Sequence, residues 1–284
     1  NGNVATEDAI VSVKDNIPPT AVCKNLTLQL DENGEVKISP KDIDNGSTDN
    51  CRALALGFKI NNTQYFTEQT LDCSFIGENQ IELIVRDGGG NKSSCFATVT
   101  VLETVAPTVI TQNITVELDP DGAASIVVAD IDNGSLDNCE IESLTLDITE
   151  FDCTNIGENT VSLTVTDVNG NSASENAIVT VEDNIIPTVI TQNITVELDA
   201  EGIVNITPEA IDNGSNDICG HVFFTLDIDT FDCSNVGENT VYLTVTDVNG
   251  NSASADAIVT VEDNIAPTAS CMAAFSLQLD ETGS

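Results

Sequence analysis

The sequence has no tryptophan, one histidine (His221), one methionine and only 8 Lys+Arg among its 284 residues. The basic residues are Lys14, Lys24, Lys37, Lys41, Arg52, Lys59, Arg86 and Lys92, so from Glu103 to Ser284 there is no Lys or Arg at all. That tract can form no Lys or Arg salt bridge and gives trypsin nothing to cut. Without a basic patch to meet phosphate, nucleic acid is excluded as a partner, and an anionic membrane surface is disfavoured for the same reason. No apolar run approaches the roughly 18 residues needed to span a bilayer, so no membrane insertion is expected. No signal peptide opens the chain. No segment of any length carries a helical hydrophobic period.

What the sequence has in excess is acid. Its 47 Asp+Glu give a formal net charge of −39. A like-charge excess of this size favours solubility but repels itself in the compact state. Divalent cations or a high-salt medium would relieve it. Acidic composition can also mean disorder, but 40% of the residues are hydrophobic and they alternate with polar ones in short runs, which argues for folded strands.

The chain repeats. Pro19 to Pro107 is 88 residues, while Pro107 to Pro187 and Pro187 to Pro267 are 80 each, and Pro107–Asp119 is letter-for-letter the same as Pro187–Asp199. Such self-similarity marks a tandem array. The divisions are 1–16, the end of a preceding repeat; 17–104, 105–184 and 185–264, three whole repeats; and 265–284, the start of a following one. The chain therefore reads as a piece of something longer. Runs such as Asn25–Leu30, Ile114–Leu118 and Val161–Val165 alternate with period two, as half-buried strands do. Turns stand at Asp31–Gly34, Asp119–Gly122 and Asp199–Gly202, and Asp167–Asn171 and Asp247–Asn251 are hairpin turns in which Asn-Gly suits positive φ. About seven short strands per repeat are expected. The predicted fold is all-β: tandem Ig-like β-sandwich repeats joined head to tail by short Pro-containing linkers. The missing tryptophan makes it Ig-like in layout only.

Cysteines follow the same frame. Each repeat carries one after an acidic loop and one in a Phe/Leu-Asp-Cys stretch: Cys51 and Cys73, Cys139 and Cys153, Cys219 and Cys233. The first spacing is 22 and the others 14, so the first repeat's eight extra residues lie between its two cysteines, around Asn61–Gln69, in a hairpin tip. Cys23 and Cys95 are replaced together, by Thr111 and Glu175, as a bonded pair would be. The expectation is four disulfides within repeats, with the partner of Cys271 beyond Ser284. A 15-residue loop closed in this way is worth about 3 kcal/mol. Zinc would need C-x-x-C pairs or histidines, and the chain has no C-x-x-C and a single histidine. Disulfides imply an oxidising, extracellular setting.

The acidic loop recurs as Asp42–Cys51, Asp130–Cys139 and, altered, Ala210–Cys219. Calcium takes six to eight oxygens from carboxylates, amides and carbonyls. The loops offer such a set in Asp42, Asp44, Asn45 and Asp49, in Asp130, Asp132, Asn133 and Asp137, and in Asp212, Asn213 and Asp217. The competing reading is a plain turn with Asx hydrogen bonds. Ala210 and Ile218 predict a weaker third loop. A second candidate set lies at the repeat junctions: Asp15, Asp183 and Asp263 of the linkers, with Asp167, Asn169 and Asn171, or Asp247, Asn249 and Asn251, of the hairpin turns. The competing reading there is a Pro-fixed linker. The junction at Glu103-Thr104 lacks the Asp-Asn pair, its hairpin is Asp87-Gly88-Gly89-Gly90-Asn91, and it should be the loosest joint.

No catalytic constellation is present, and no enzymatic activity is expected. Sequons at Asn25, Asn45, Asn113, Asn133 and Asn193 are weighed against the plain abundance of Asn and Thr in these strands.

Pro-Thr-Ala-Val-Cys-Lys-Asn-Leu-Thr-Leu-Gln-Leu-Asp from Pro19, Asp-Ile-Asp-Asn-Gly-Ser-Thr-Asp-Asn-Cys from Asp42, Leu-Thr-Val-Thr-Asp-Val-Asn-Gly-Asn from Leu163 and Val-Glu-Asp-Asn-Ile-Ile-Pro-Thr from Val181 together form a motif set. It resembles the repeats of the SprB family, cell-surface adhesins of gliding Bacteroidota related in layout to hyalin (HYR) repeats. The resemblance implies type IX secretion, a long repetitive surface filament, adhesion and gliding. The expected function is thus a structural repeat region stiffened by disulfides and calcium, its partners being neighbouring repeats, surface polysaccharide or other copies of itself. The alternative is a calcium-dependent glycan-binding module of an exported protein, against which stands the scarcity of aromatics: Tyr65, Tyr242 and nine Phe, with Phe223–Phe224 the one adjacent pair.

Overall fold

The computed structural model describes residues 2–51, 54–270, 278 and 280–282. The chain divides into two compact units: residues 2–114, 127–148 and 160–178 in the first, and 115–126, 149–159 and the described residues from 179 on in the second. Both are built from strands, as the period-two patterning predicts.

The first unit contains a complete sandwich. Its elements are β1 (Leu26–Gln29), β2 (Val36–Ile38), a one-turn helix α1 (Pro40–Ile43), β3 (Ala55–Ile60), β4 (Thr63–Tyr65), β5 (Gln69–Leu71), β6 (Gly77–Arg86) and β7 (Lys92–Leu102). One sheet has the order β1-β7-β6-β3-β4 and the other pairs β2 with β5. The long β6–β7 hairpin is antiparallel, whereas β1 runs parallel to β7, with Leu26 opposite Val99. Alternate residues of this hairpin, Ile81, Leu83, Val85, Ala97, Val99 and Val101, are fully buried with Ile38, Ile43 and Phe58. The extra residues of this repeat form the β3–β4 hairpin, which turns at Asn61 and Asn62, both at positive φ. That hairpin supplies the seventh strand. The same unit holds the antiparallel pair of Ile141–Leu146 with Gly157–Asp167.

The second unit repeats the plan without the insertion. Its sheet has the order Ile194–Glu197, Ser252–Glu262, Gly237–Asp247, Val222–Leu226, and Ile203–Asn205 pairs with Thr230–Asp232. Val241, Leu243, Val245, Ala257, Val259 and Val261 fill the core as their counterparts do in the first unit. The pair Ala123–Ser125 with Glu150–Asp152 also belongs here.

The fold is therefore all-β, as expected, with short turns of helix as the exceptions: the α-helical turns α1, Val128–Ile131 and Pro208–Ile211, and 3₁₀ turns at Cys73–Phe75, Cys153–Asn155 and Cys233–Asn235. Each α-helical turn leads into an acidic loop and buries an isoleucine, Ile43, Ile131 or Ile211. Sequon asparagines also have work in the fold, since the side-chain carbonyls of Asn25, Asn113 and Asn193 accept backbone N–H bonds from Thr98, Ile178 and Ile258. One ion pair, Lys37–Glu68, is present among the described residues, and it is exposed. No helix among them is long and apolar enough to cross a membrane.

The cysteine pairing differs from the expectation. Cys23 is bonded to Cys95 as the joint replacement implies, and in later repeats the Thr111 and Thr191 hydroxyls bond the carbonyls of Asn176 and Asp256 near that place instead. The remaining bonds join different repeats: Cys73 to Cys139 and Cys153 to Cys219. Cys51 and Cys233 are unpaired. Cys51–Cys73, Cys139–Cys153 and Cys219–Cys233 are thus not the pairs. The reason is the placement of the two cysteines in each repeat. Cys51 follows the acidic loop and lies against Asp15 of the incoming linker, whereas Cys73 starts a 3₁₀ turn beside Gly34, where Asn138 of the next repeat arrives. Cys271 lies outside the described residues.

Candidate functional site: the repeat junctions

The acidic loops are held first by their own hydrogen bonds. Asp42 sits at the third position of α1, where its Oδ2 accepts from the Ser39 N–H and hydroxyl, each at 2.7 Å, closing the first turn of the helix. Asp130 takes the Val127 N–H in the same way. The next acid ties the turn. Asp44 accepts from the N–H groups of Gly46 and Ser47, and the Ser47 hydroxyl accepts from Val22 N–H. Asp132–Ser135–Ile110 and Asp212–Ser215–Ile190 repeat that relay. The serine side chain holds the Asp132 carboxyl below its ordinary range; at Asp212 burial pushes up, but the Ser215 bonds outweigh it and the net shift is again downward. Glycine is required at the turn, with φ +87° at Gly46, +91° at Gly134 and +98° at Gly214. Asn45, Asn133 and Asn213 are exposed, and their N–H groups bond the carbonyls of Val22, Ile110 and Ile190. Each loop is thereby fastened to the chain that follows the linker proline.

The third acid behaves differently. One oxygen of Asp49, Asp137 and Asp217 accepts the N–H of the cysteine two residues on, at 2.8 Å in all three. The other oxygen is buried and has no hydrogen-bond partner. Linker acids Asp15 and Asp183 each also have one buried oxygen outside a regular hydrogen bond, and their carboxylates lie close to those of Asp49 and Asp217, with the Cys51 thiol on Asp15. In each group the carboxylate oxygens and a cysteine sulfur, Cys51 or Cys219, lie within 4.8 Å of one another. Among the described residues Asp42, Asp44 and Asp49 form no such group, nor do their counterparts. The structure thus takes one ligand from the predicted loop set and one from the predicted junction set and brings them together.

The hairpin turns close the junctions from another side. Asp247, almost fully buried, accepts from the N–H groups of Asn249, Gly250 and Asn251 through Oδ1, and Asn251 Nδ2 bonds both Asp247 Oδ2 and the Asp183 carbonyl at 2.9 Å. Asn91 bonds Asp87 and the Asp15 carbonyl in the same manner. Asn169 and Asn249 are exposed and contribute backbone N–H groups alone to their turns. Asp263 is exposed and accepts from Ile265 N–H.

The Glu103 junction is built otherwise. Glu103 is buried; Oε1 takes the Val105 N–H and Oε2 takes Asn171 Nδ2 at 2.5 Å, while the same amide bonds Asp167 Oδ2 at 2.7 Å. Burial pushes the Glu103 carboxyl up, reinforced by Asp167 and Asp137. For Asp167 burial also pushes up, but the Asn171 side chain and backbone N–H bonds outweigh it and the net shift is downward. Composition alone did not reveal this contact, because Glu103 reads as a conservative exchange for Asp.

Around the two disulfides between repeats, one repeat's turn receives the next repeat's loop. Asn138 Nδ2 donates to the Asp31 carbonyl, and a Cβ on Gly34 would lie 2.6 Å from the Asn138 carbonyl oxygen and 2.9 Å from Cys73 Sγ. At Gly122 the corresponding neighbours are Cys153 Sγ at 2.9 Å and Ile218 at 3.3 Å. Ile218 thus replaces a polar contact with an apolar one, and Ala210 stands where the capping acid was. Neither change touches the Asp183–Asp217 pair.

No family model and no curated protein matches the chain. Among solved structures it is similar to three consecutive Ig domains of titin in an E-to-A mutated variant (11% identity, 87% of this chain and 99% of that one, TM-score 0.37). It is also similar to the Protocadherin GammaB4 extracellular domain (16%, 89% and 51%, 0.35) and to Sidekick-1 immunoglobulin domains 1–5 (10%, 88% and 60%, 0.32). These likenesses are weak, and the Ig-like assignment rests on the sheets themselves.

Proposed function

We propose that the chain is a structural repeat region of a very long secreted cell-surface adhesin or filament, serving surface attachment and, in line with its SprB-like motifs, gliding motility after type IX export. The observation that carries this reading is the pairing of cysteines between repeats, Cys73 with Cys139 and Cys153 with Cys219. A bond within a repeat would stabilise that repeat alone. A bond between repeats resists their separation under load, which a surface-attached tether needs. Oxidised cysteines fit an extracellular location. A divalent cation enters as the counter-charge that a net charge of −39 calls for.

Display of the chain on a non-adherent cell tests the reading. Retention on glass under flow should rise with display and fall when the disulfides are reduced; retention that ignores both would overturn it. The glycan-binding alternative has one foothold, an open groove of about 440 Å³ beside the insertion hairpin, lined by Lys41, Leu56 and the exposed Phe66. Glycan-array binding abolished by Phe66→Ala would favour that reading instead.

A further inference from the structure

Two carboxylate oxygens buried face to face without a donor between them are unstable as they stand, because each lacks both hydration and a counter-charge. At the Asp183 junction the side chain is 94% buried (relative exposure 6%), its Oδ1 is satisfied by the Ile185 N–H at 3.0 Å, and its Oδ2 has no partner. The Asp217 Oδ2 is also buried and unpartnered, and a carboxylate oxygen of Asp217 lies within 4.8 Å of one of Asp183. The backbone bonds to Ile185 and Cys219 fix both carboxylates, so neither is free to turn its orphan oxygen to water.

We propose that Asp183 and Asp217 hold one hard divalent cation of the calcium class at their junction. The separation suits an ion between two oxygens, since Ca–O distances of about 2.3–2.6 Å place two ligands of one ion up to about 5 Å apart. Water completes the shell. A soft metal is disfavoured because Cys219 is committed to Cys153. The Asp15 and Asp49 group differs, because there the Cys51 thiol donates to the Asp15 carboxylate. The Glu103 junction holds no such ion, because the longer side chain turns its carboxylate onto Asn171 beside Asp167, and among the described residues Glu103 and Asp137 form no ligand group like that of Asp183 and Asp217. This inference goes beyond the adhesion reading, and each can fail without the other, because ion binding and surface retention are separate measurements.

The test is calorimetric titration of the chelator-stripped 284-residue chain with calcium chloride, at high monovalent salt so that diffuse surface charge is screened. One saturable site is expected. Asp183→Asn should abolish it. Glu103→Asp, which restores the shorter acid, should give two. Asp130→Asn, a helix-capping position, should keep one. Melting in chelator guards against misfolded variants: Asp183→Asn removes repulsion there and should melt higher than the parent, while losing the calcium-induced shift. Absence of saturable binding, a site surviving Asp183→Asn, or loss of the site in Asp130→Asn would each overturn the proposal.

Discussion

The Asp183 and Glu103 junctions use the same parts and differ by one methylene. In both, the linker acid accepts the N–H two residues on, a hairpin asparagine reaches over, and a loop aspartate waits with one oxygen buried and unpaired. With the shorter acid, Asn251 is left to bond the Asp183 carbonyl, and the carboxylate meets Asp217. With the longer acid, Asn171 bonds the carboxylate itself and holds it against Asp167. A buried carboxylate pair needs either a cation or a proton. Chain length decides which of two aspartates the linker acid confronts, and so which of these counter-charges the junction calls for.

The largest effect should be common to both places. Cys73–Cys139 and Cys153–Cys219 each close a separation of 66 residues, so removing either bond by paired Cys→Ser substitution should cost about 4 kcal/mol. Urea unfolding of the two variants should show equal losses; a clear inequality would mean that the junctions differ in more than their acids. Next in size are the turn glycines. Gly34→Ala puts a Cβ into the Asn138 carbonyl at φ +73°, and Gly122→Ala puts one against the Cys153 sulfur and Ile218 at φ +74°. Each should cost about 1–3 kcal/mol, Gly34→Ala more, because a backbone carbonyl yields less than the end of an isoleucine. Thermal melts of the two variants would settle the order.

The tandem array, the hairpins and the core alternation were legible in the sequence because identical letters at a fixed period allow only one alignment. The same regularity hid the cysteine partners. In a tandem array Cys139 stands in register with both Cys153 of its own repeat and Cys73 of the one before, and spacing cannot separate the two. The acidic loop was legible as oxygen-rich but not as divided labour. Asp42 caps a helix and Asp44 ties a turn through Ser47, which leaves Asp49 alone to face Asp15. The glycine-rich turn Asp87–Asn91 serves the Asp15 junction and not the Glu103 junction to which sequence order assigns it: Asn91 bonds the buried Asp87 and the Asp15 carbonyl, while Asn171 reaches Glu103.

The smallest expected effect isolates the proton. Burial raises the folded-state titration of Glu103 above its unfolded value. The stability contributed by its protonated form is therefore fully present below the unfolded pKa and is lost as pH rises through the folded one. Asp167 runs the other way: its contribution is present above its unfolded pKa and is lost as acid titrates through its depressed folded value. Glu103→Gln keeps the side chain neutral at every pH and offers an amide N–H toward Asp167, but it gives up one acceptor oxygen. The net gain at neutral pH should stay below about 1 kcal/mol, since a lost hydrogen bond is worth about that much. Melting temperatures followed in chelator from acid to neutral pH should show the variant gaining on the parent as pH rises. A constant difference would place the proton elsewhere and leave the two junctions distinguished by hydrogen-bond geometry alone.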